Sequence, residues 1–214
     1  FYKEMWHTLK KGIPWSGEIK NLHKDGSAYW VETIIEPRYD EEHHMIGYTG
    51  IRHNITDKKR VEELSITDHL TGLYNRLKLD ELFASYLSLA KRHQMPFSVV
   101  LLDIDKFKLV NDTYGHQVGD SLLQEIAILL KRNIRFEDAV GRWGGEEFLL
   151  LLPGSTLENS RLLAEKLRHM IEAKEFMHVG HRTASFGVAT YHHEDDEKSM
   201  TSRADAALYR ANEN

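Results

Sequence analysis

The chain has 214 residues, of which 41% are hydrophobic and 29% charged, and its formal net charge is −5. This length provides enough material for one large domain or two small ones with buried cores. The acidic balance argues against a general binder of nucleic acid or anionic membranes, because such proteins usually carry a basic surplus. The chain contains no cysteine, which excludes disulfides, thiolate catalysis and Cys-ligated zinc and fits a reducing cytosol.

Membrane and targeting signals are not evident in the sequence. No apolar run approaches the roughly 20 residues that a membrane-spanning helix needs, and no signal peptide is recognisable. We therefore expect a cytoplasmic chain in which this segment makes no membrane contact. The first residues, FYKEMW, lack an initiator methionine, so we expect a piece of a longer protein, which is compatible with a membrane anchor elsewhere in that protein.

Residues 1–56 are predicted to form a short amphipathic helix followed by three strands. Two extended runs flank Lys24-Asp25-Gly26-Ser27, and Asp-Gly is a strong hairpin signal. The run MIGYTGIRHNIT supplies the third strand. A three-stranded antiparallel sheet is small for an independent core, so we expect part of this domain to be missing from the chain.

The segment DKKRVEELSI, residues 57–66, is predicted to be a connector helix. Val61 and Leu64 lie three residues apart on one helical face, with charged residues around them. This pattern fits a helix that pairs with a second copy of itself, but it is too short for a sustained heptad repeat. A solvated spacer therefore remains an alternative.

From Ile66 onward, helical and extended patterns alternate, which predicts a sheet covered by helices. FSVVLLDID is predicted to be a buried strand, and AVGRW and EFLLLL two strands around a short turn. We expect Asp120 and Ser121 to cap the second helix, whose apolar stripe begins at Leu122. The remaining patterns predict helices around residues 79–90, 122–134, 163–171 and 201–212, and a last strand over residues 181–191.

The stretch RWGGEEFLLLLP, residues 142–153, combines glycines, acids and core leucines in one short segment. Gly144 and Gly145 allow positive φ and leave the turn without side chains, so a phosphate can approach the backbone closely. Glu146 projects from this turn, and a sheet can bring it beside Asp103 at the end of the strand VVLLDID. Two carboxylates on neighbouring strands suit Mg²⁺, whereas a helix cap or a buried ion pair is the alternative for Asp103. The spacing alone does not separate these possibilities.

Four motifs together resemble the GGDEF family, the diguanylate cyclases. They are TDHLTGLYNR at residues 67–76, DIDKFKLVNDTYGHQVGD at 103–120, RWGGEEF at 142–148 and RADAALYRA at 203–211. The third motif has the common Glu-for-Asp form of the family signature. Residues 1–56 resemble the C-terminal half of a PAS domain, with Asn-Ile-Thr at the end where Asp-Ile-Thr is usual.

These resemblances imply an α+β fold in two parts. Residues 67–214 are expected to form a palm-like domain, in which helices flank a central, mainly antiparallel sheet. Residues 1–56 are expected to form the partial α/β sheet of a PAS sensor domain, for which a packing or dimerisation surface is an equal alternative to ligand sensing. Residues 57–66 are expected to be the helical linker between the two.

The resemblance also implies a reaction in which two GTP molecules condense to cyclic di-GMP and two pyrophosphates. Mg²⁺, or alternatively Mn²⁺, is the expected cofactor, with two ions per active site. Each domain holds one nucleotide, so catalysis requires a homodimer. The alternative function is a non-catalytic receptor for GTP or cyclic di-GMP, while an ATP-using cyclase is disfavoured by Asn111 and Asp120.

The family's catalytic roles extend to individual residues of this chain. Asp103 and Glu146 are expected to bind the metal together with the backbone carbonyl of Ile104, and Glu146 to accept the proton of the attacking 3′-hydroxyl. Lys108 is expected to stabilise charge on the β- and γ-phosphates, whereas Asp105 is expected to be structural. The predicted substrate-binding set is Asn111 and Asp120 for guanine, together with Phe107, Lys108, His116, Leu70, Leu123, Gly144, Gly145 and Arg142.

Several of these positions have structural alternatives. Core packing is an equal explanation for Leu70 and Leu123, and capping or packing is nearly equal for His116. Arg142 serves either a phosphate or a neighbouring carboxylate. Glu147, next to the predicted metal ligand, is expected to point to the other face and to support the turn.

The motif RFED, residues 135–138, resembles the inhibitory product site of the family. Arg135 and Asp138 are expected to hold bound cyclic di-GMP. Arg168 is expected to assist from the following helix. The resemblance therefore implies a cyclase that its own product inhibits.

Two features depart from the family pattern or add to it. Asn212 stands where many members have a lysine that reaches the triphosphate, so phosphate binding is expected to be weaker, to rest more on Lys108, or to use residues beyond this chain. The paired histidines at residues 43–44 and 192–193 lie in acidic, loop-like stretches. They are expected to be solvated, because neither pair has a convincing third metal ligand.

Overall fold

The computed structural model describes the backbone of residues 1–212 and their side chains except those of residues 62–65. The chain divides into two compact units, Phe1–Ser65 and Ile66–Asn214, which are described separately.

The first unit is an antiparallel sheet in the order β1-β2-β3, preceded by a helix whose Met5 and Leu9 are buried. The predicted hairpin is confirmed, since the backbone N–H of Ser27 donates to Asp25 Oδ1 at 2.8 Å inside the β1–β2 turn. The elements are α1 Tyr2–Lys10, β1 Trp15–Leu22, β2 Ala28–Tyr39 and β3 Met45–Asn54.

A second helix, α2 (Thr56–Ile66), follows β3 directly. The hydroxyl of Thr56 accepts from the backbone N–H of Trp30 at 3.0 Å, which ties the start of this helix to the sheet. Val61 is 66% exposed, while the side chain of Leu64 lies outside the described residues. The proposed pairing face of this helix therefore stays a prediction.

The second unit is a four-stranded antiparallel sheet in the order β5-β6-β4-β9, flanked by helices, and this confirms the predicted α+β class. It also contains a short hairpin and a short helix that the sequence patterns did not resolve. The elements are α3 Arg76–His93, β4 Phe97–Ile104, α4 Phe107–Tyr114, α5 His116–Asn133, β5 Ala139–Gly144, β6 Glu147–Pro153, α6 Leu157–Ala173, β7 Glu175–Phe176, β8 Gly180–His181, β9 Ala184–Thr190 and α7 Glu197–Asn212.

Strands β4 and β6 are central and buried on both faces. Alternate residues pack on α4, α5 and α6 on one side and on α3 and α7 on the other. The four leucines of the glycine-acid stretch, residues 149–152, are each no more than 1% exposed. The two central strands therefore hold their end residues in fixed positions.

The expected cap at Asp120 and Ser121 is wrong. Helix α5 begins at His116, directly after Gly115, whose φ of +84° ends α4. Ser121 is an interior residue of the helix, and its hydroxyl donates to the carbonyl of Gln117 at 3.0 Å. The apolar stripe starts six residues after the beginning of the helix because the first residues of the helix face solvent.

The last helix is anchored by an ion pair in the motif RADAALYRA. Arg203 donates from Nη1 and Nη2 to the two carboxylate oxygens of Asp195, at 2.6 and 2.7 Å, and from Nη2 to the carbonyl of Thr190. Asp195 is buried and also accepts from the backbone N–H of His192. The Arg203 hydrogen bonds hold the pKa of Asp195 well below its usual range.

We predict that Arg203→Ala lowers the free energy of unfolding by roughly 2–3 kcal/mol at pH 7, because a buried carboxylate loses its partner. The low folded-state pKa of Asp195 means that the pair stabilises the fold above the unfolded carboxyl pKa. In urea titrations, the difference in the free energy of unfolding between the wild-type protein and the Arg203→Ala variant should therefore become smaller below about pH 4. Lys198→Ala, an exposed change on the same helix, should leave the stability unchanged, and an equal loss in both variants would contradict the prediction.

Candidate functional site

The candidate site is the sheet edge at which β4 ends and β6 begins. Asp103 in β4 is the direct register partner of Glu147, the first residue of β6. Gly144 also pairs with Glu147, which leaves Gly145 and Glu146 as a two-residue turn. Three carboxylates therefore meet at one edge of the sheet.

The expectation that Glu147 points away from this site is wrong. Directly paired residues on adjacent antiparallel strands project from the same face of a sheet. Glu147 therefore shares the face of Asp103, while Glu146 lies in the turn beside them. The pairing register of the strands around this two-residue turn decides whether Glu146 or Glu147 shares the face of Asp103. The sequence alone does not show this register.

Negative charge is concentrated around Asp103. Burial, followed by the charges of Glu146, Glu147 and Asp105, raises the pKa of Asp103 to about 6. Burial also raises the pKa of Glu147, together with the charges of Asp205 and Glu146, against a smaller lowering by Arg76. Such a group of acids favours the binding of a cation.

A divalent cation fits this donor set. In the described part of the chain, no three or more His, Asp or Glu side chains are grouped as a metal cage. Mg²⁺ does not need one, because it usually binds one or two carboxylates and keeps its other positions for water and phosphate. Asp103, Glu146, Glu147 and the carbonyl of Ile104 are therefore the residues that can hold it.

Asp105 has the structural role expected for it. Its carboxylate accepts from the hydroxyls of Thr183 and Ser185, the latter at 2.9 Å, and its backbone N–H donates to the carbonyl of Thr183. These bonds tie the end of β4 to the start of β9. Both oxygens of this side chain are thus already engaged within the protein.

Arg142 braces the glycine turn. Its Nε donates to the carbonyl of Gly145 at 2.8 Å, and its Nη1 lies 3.4 Å from Asp68 Oδ2. Asp68 in turn accepts from the backbone N–H and the hydroxyl of Thr71. In this structure Arg142 therefore contacts a neighbouring carboxylate, the second of the two roles considered, and Asp68 is a site residue that sequence analysis missed.

The turn itself is bare, as the glycines predict. Gly145 has a φ of +33°, and a Cβ placed on it would meet no atom within 4 Å. A Cβ on Gly144 would meet only Glu147 Oε2, at 3.6 Å. A ligand can therefore approach the backbone of the turn without a side chain in the way.

Helix α4 supplies the next group of predicted contacts. Phe107 is 8% exposed, whereas Lys108 is exposed. Asn111 Oδ1 is buried and has no hydrogen-bond partner among the described residues. It lies against Gly119 of α5, where a Cβ would overlap it. Gly119 was not singled out from the sequence, although it lies inside the motif DIDKFKLVNDTYGHQVGD.

The other predicted nucleotide contacts surround this group. Asp120 and His116 are exposed on the first turns of α5. Leu123 is 1% exposed within the core, and Leu70 packs partly buried against the same cluster. The carbonyl of Leu70 accepts from Gln124 Nε2 at 3.1 Å, which fixes the opening motif on α5. The roles of these four residues toward a ligand stay predictions.

Arg135 and Asp138 form a closed turn at the mouth of a cavity of about 330 Å³. The backbone N–H of Arg135 donates to Asp138 Oδ2 at 3.0 Å. Burial raises the pKa of Asp138, against the hydrogen bond and charge of Arg135. Lys166 of α6 lines the same cavity.

Arg168 is not among the residues that line this cavity. Arg168 is paired with Glu165 at 2.8 Å and with Glu172 at 3.0 Å. It lies two residues after Lys166, which is roughly 200° around a helix. Lys166, which sequence analysis missed, is the α6 cation that accompanies Arg135.

Two further sequence features can be located in the structure. Asn212 is the last residue of α7, and the histidines at 43–44 and 192–193 are exposed. None of the helices in the described residues combines the length and the apolar character needed to cross a membrane.

We predict that Arg142→Gln loosens the turn, because the variant loses the bond to the Gly145 carbonyl and the contact with Asp68. Amide hydrogen exchange at Gly144 and Gly145 should accelerate, with a loss of roughly 1–2 kcal/mol in local opening free energy. Arg132→Gln, an exposed change on α5, is the control. Unchanged exchange at both glycines would show that Arg142 does not brace the turn.

Comparison with known families gives two matches. Residues 65–214 match the family described as "Diguanylate cyclase, GGDEF domain". Residues 1–52 match the family described as "PAS fold".

Curated relatives are similar over most of this chain. A diguanylate cyclase of Vibrio cholerae is 38% identical over 176 residues, which are 79% of this chain and 55% of the relative. The response regulator PleD of Caulobacter vibrioides is 38% identical over 155 residues, 70% of this chain and 34% of PleD. Diguanylate cyclase DgcM of Escherichia coli O157:H7 is 37% identical over 204 residues, 89% of this chain and 47% of DgcM. The chain thus spans about a third to a half of the length of these three relatives.

Solved structures share the fold. Diguanylate cyclase SiaD of Pseudomonas aeruginosa, solved with its activator SiaC, has a TM-score of 0.68 and 38% identity over 73% of this chain and 61% of SiaD. The coiled coil and GGDEF domain of DgcB from Caulobacter crescentus, solved with c-di-GMP, has a TM-score of 0.70 and 28% identity over 73% of this chain and 85% of that one. The active GGEEF domain of a Vibrio cholerae diguanylate cyclase has a TM-score of 0.63 and 38% identity over 66% of this chain and 92% of that one.

Proposed function

Because the chain belongs to the GGDEF family of diguanylate cyclase domains over residues 65–214, we propose that it condenses two GTP molecules into cyclic di-GMP and two pyrophosphates. The observation that carries the proposal is the acidic sheet edge at Asp103. Burial and the neighbouring acids raise the pKa of that carboxylate to about 6, as expected where a cation belongs. The intact Gly144-Gly145-Glu146 turn lies beside it.

In the proposed reaction, the 3′-oxygen of each GTP attacks the α-phosphorus of the other. A new phosphodiester bond forms, the bond to pyrophosphate breaks, and the 3′-proton passes to a base. Glu146, in the open turn, is the proposed base, and it would also hold the metal together with Asp103 and the Ile104 carbonyl, with Glu147 beside them. Two bound Mg²⁺ or Mn²⁺ ions would neutralise phosphate charge and make the 3′-hydroxyl more acidic.

The free acceptor on Asn111 supports guanine as the base. Guanine carries donors at N1 and at its amino group, and the buried Oδ1 lacks a donor among the described residues. Asp120, one helix turn beyond His116, is the proposed second acceptor. Adenine lacks this pair of donors, so we propose that GTP is preferred over ATP. Lys108 and the backbone near Phe107 would contact the β- and γ-phosphates.

The proposed reaction needs two sites that face each other, since each domain holds one nucleotide. We therefore propose a homodimer in the cytoplasm, where GTP is available. The PAS unit and α2 would set the alignment of the two domains and so regulate turnover. Cyclic di-GMP bound at Arg135 and Asp138 would inhibit it.

The proposal is tested by incubating the concentrated, nucleotide-free chain with GTP and Mg²⁺, followed by chromatography. Cyclic di-GMP and pyrophosphate in a 1:2 ratio are expected, and ATP should give no cyclic dinucleotide. Tight GTP binding without product would favour the receptor function instead. Absence of both binding and turnover would reject both functions.

We predict that Glu146→Gln lowers the turnover number at least about 100-fold, because the variant loses the proposed base and one metal ligand. GTP affinity should change far less, since the guanine contacts remain. Glu137→Gln, an exposed acid in the same unit, is the matched control. Substantial activity in the Glu146 variant would refute its role.

We predict that Arg135→Ala removes product inhibition while the initial rate stays unchanged. Lys166→Ala should weaken inhibition because Lys166 lines the Arg135 cavity. Arg168→Ala should leave the inhibition constant unchanged because Arg168 is paired with Glu165 and Glu172. If Arg168→Ala weakened product inhibition and Lys166→Ala did not, the structural assignment would be overturned.

We predict that Gly119→Ala raises the KM for GTP at least about tenfold with the fold intact, because the added methyl group displaces Asn111 Oδ1. Alanine is a better helix former than glycine, so thermal stability should not fall sharply. Ser121→Ala on the same helix controls for that propensity. An unchanged KM in the Gly119 variant would mean that Asn111 does not contact guanine.

A further inference from the structure

A cavity of about 450 Å³ lies behind the connection between β4 and α4. Its lining includes Asp105 and Lys106 from that connection, Tyr114 at the end of α4, Glu172 near the end of α6, and His181 and Arg182 before β9. Among the described residues, none of the proposed GTP, metal or product-inhibition contacts lines it. The cavity is therefore separate from the sites described above.

Two cations of this cavity have no acidic partner. In the described part of the chain, neither Lys106 nor Arg182 lies within ion-pair distance of a carboxylate. Arg182 Nε is buried without a hydrogen-bond partner, and its Nη1 donates only to the carbonyl of His181, at 3.4 Å. A buried guanidinium N–H without an acceptor is costly, so an oxygen from outside the protein would stabilise it.

The acids at the cavity are already engaged. Asp105 accepts from the hydroxyls of Thr183 and Ser185. The charge of Glu172 is offset by Arg168, whose Nη1 lies 3.0 Å from it. The charged groups at the cavity that keep unused hydrogen-bonding capacity are the two cations, Lys106 and Arg182.

The cavity is also held in shape. Lys106 has a φ of +56°, an uncommon conformation for a residue with a side chain, and its carbonyl accepts from the backbone N–H of Val110. The backbone N–H of Asp105 donates to the carbonyl of Thr183 on the opposite wall. These bonds fix the backbone from which Lys106 extends and tie it to the segment that follows Arg182.

We propose that this cavity binds a small phosphate dianion. A guanidinium with unused N–H groups, in a cavity that an ammonium also lines, suits the charge and hydrogen-bond acceptors of a phosphate. Tyr114 and Leu109 are 45% and 59% exposed at the cavity and offer an apolar surface for the rest of a phosphomonoester. Inorganic phosphate, pyrophosphate and small phosphomonoesters share the recognised group, and the experiment separates them.

A ligand bound in this cavity would affect the candidate active site through a short stretch of backbone. Asp105 and Lys106 directly follow Asp103 and Ile104, and Phe107 comes next. A ligand that steadies this connection would steady the metal-binding carbonyl on one side and Phe107 on the other. This regulatory consequence rests on the proposed cyclase function, whereas the binding does not.

The test is a titration of the ¹⁵N-labelled chain with inorganic phosphate, pyrophosphate and glycerol 2-phosphate at constant ionic strength, followed by amide NMR. Saturable shifts are expected at Lys106, Tyr114 and Arg182. Arg182→Gln and Lys106→Gln should each weaken binding about tenfold. Glycerol 2-phosphate binding more tightly than both inorganic anions identifies a phosphomonoester, and the reverse order identifies the inorganic ion.

Matched controls separate this cavity from the others. Arg132→Gln and Arg135→Gln, which remove cations at the product-inhibition cavity, should leave the affinity unchanged. Arg182→Lys keeps the charge without the planar fork and should give an intermediate loss. Shifts confined to residues near Lys108 or Arg135, or an affinity that Arg182→Gln does not change, would overturn the proposal.

An activity arm separates this proposal from the proposed cyclase function. Binding that depends on Arg182 in a chain that never converts GTP would reject the cyclase function and leave the cavity assignment intact. Turnover of GTP without any phosphate binding at Arg182 would reject the cavity alone. If the chain both converts GTP and binds phosphate at Arg182, adding the phosphate dianion should change the rate of GTP conversion by the wild-type chain but not by the Arg182→Gln variant.

Discussion

The pairing of β4 with β6 is the constraint on which the second unit depends. It brings Asp103 and Glu147 to directly opposite positions, with Glu146 in the adjoining turn, although like charges at such a distance repel. Burying a leucine contributes roughly 1.5–3 kcal/mol. Four buried leucines in β6 therefore outweigh the ~4 kcal/mol by which two close like charges repel near a protein surface. The core therefore stabilises an edge at which the acids repel one another, and a bound cation would reduce that repulsion.

Motifs that are far apart in the sequence meet around this edge. Asp68 belongs to the opening motif and Arg142 to the glycine-acid motif, yet the two side chains are in contact and Arg142 also holds the turn. Asn111 and Gly119 belong to two different helices and depend on each other sterically. The motifs are therefore parts of one arrangement, and a substitution in one changes the geometry of another.

The strands and the bare turn could be predicted because alternating burial and glycine spacing are local features of the sequence. The four motifs supplied the candidate site residues. The sequence did not predict which face Glu147 occupies, since a two-residue turn fixes that register only in three dimensions. Nor did it show that α6 turns Lys166 toward the Arg135 cavity and Arg168 away, because the rotation of a helix depends on its packing. The start of α5 was missed because its first turn is polar, so the apolar stripe carries no information there.

Gly115 separates two helices that carry different halves of the proposed nucleotide site. Lys108 lies before it on α4 and Asp120 after it on α5, and the left-handed φ of +84° at Gly115 sets the offset between them. The backbone conformation at Gly115 therefore sets the distance between the residue proposed to bind the phosphates and the residue proposed to bind the base. A change in the dihedral angles of Gly115 would alter the length of nucleotide that the site accepts without touching any contact residue.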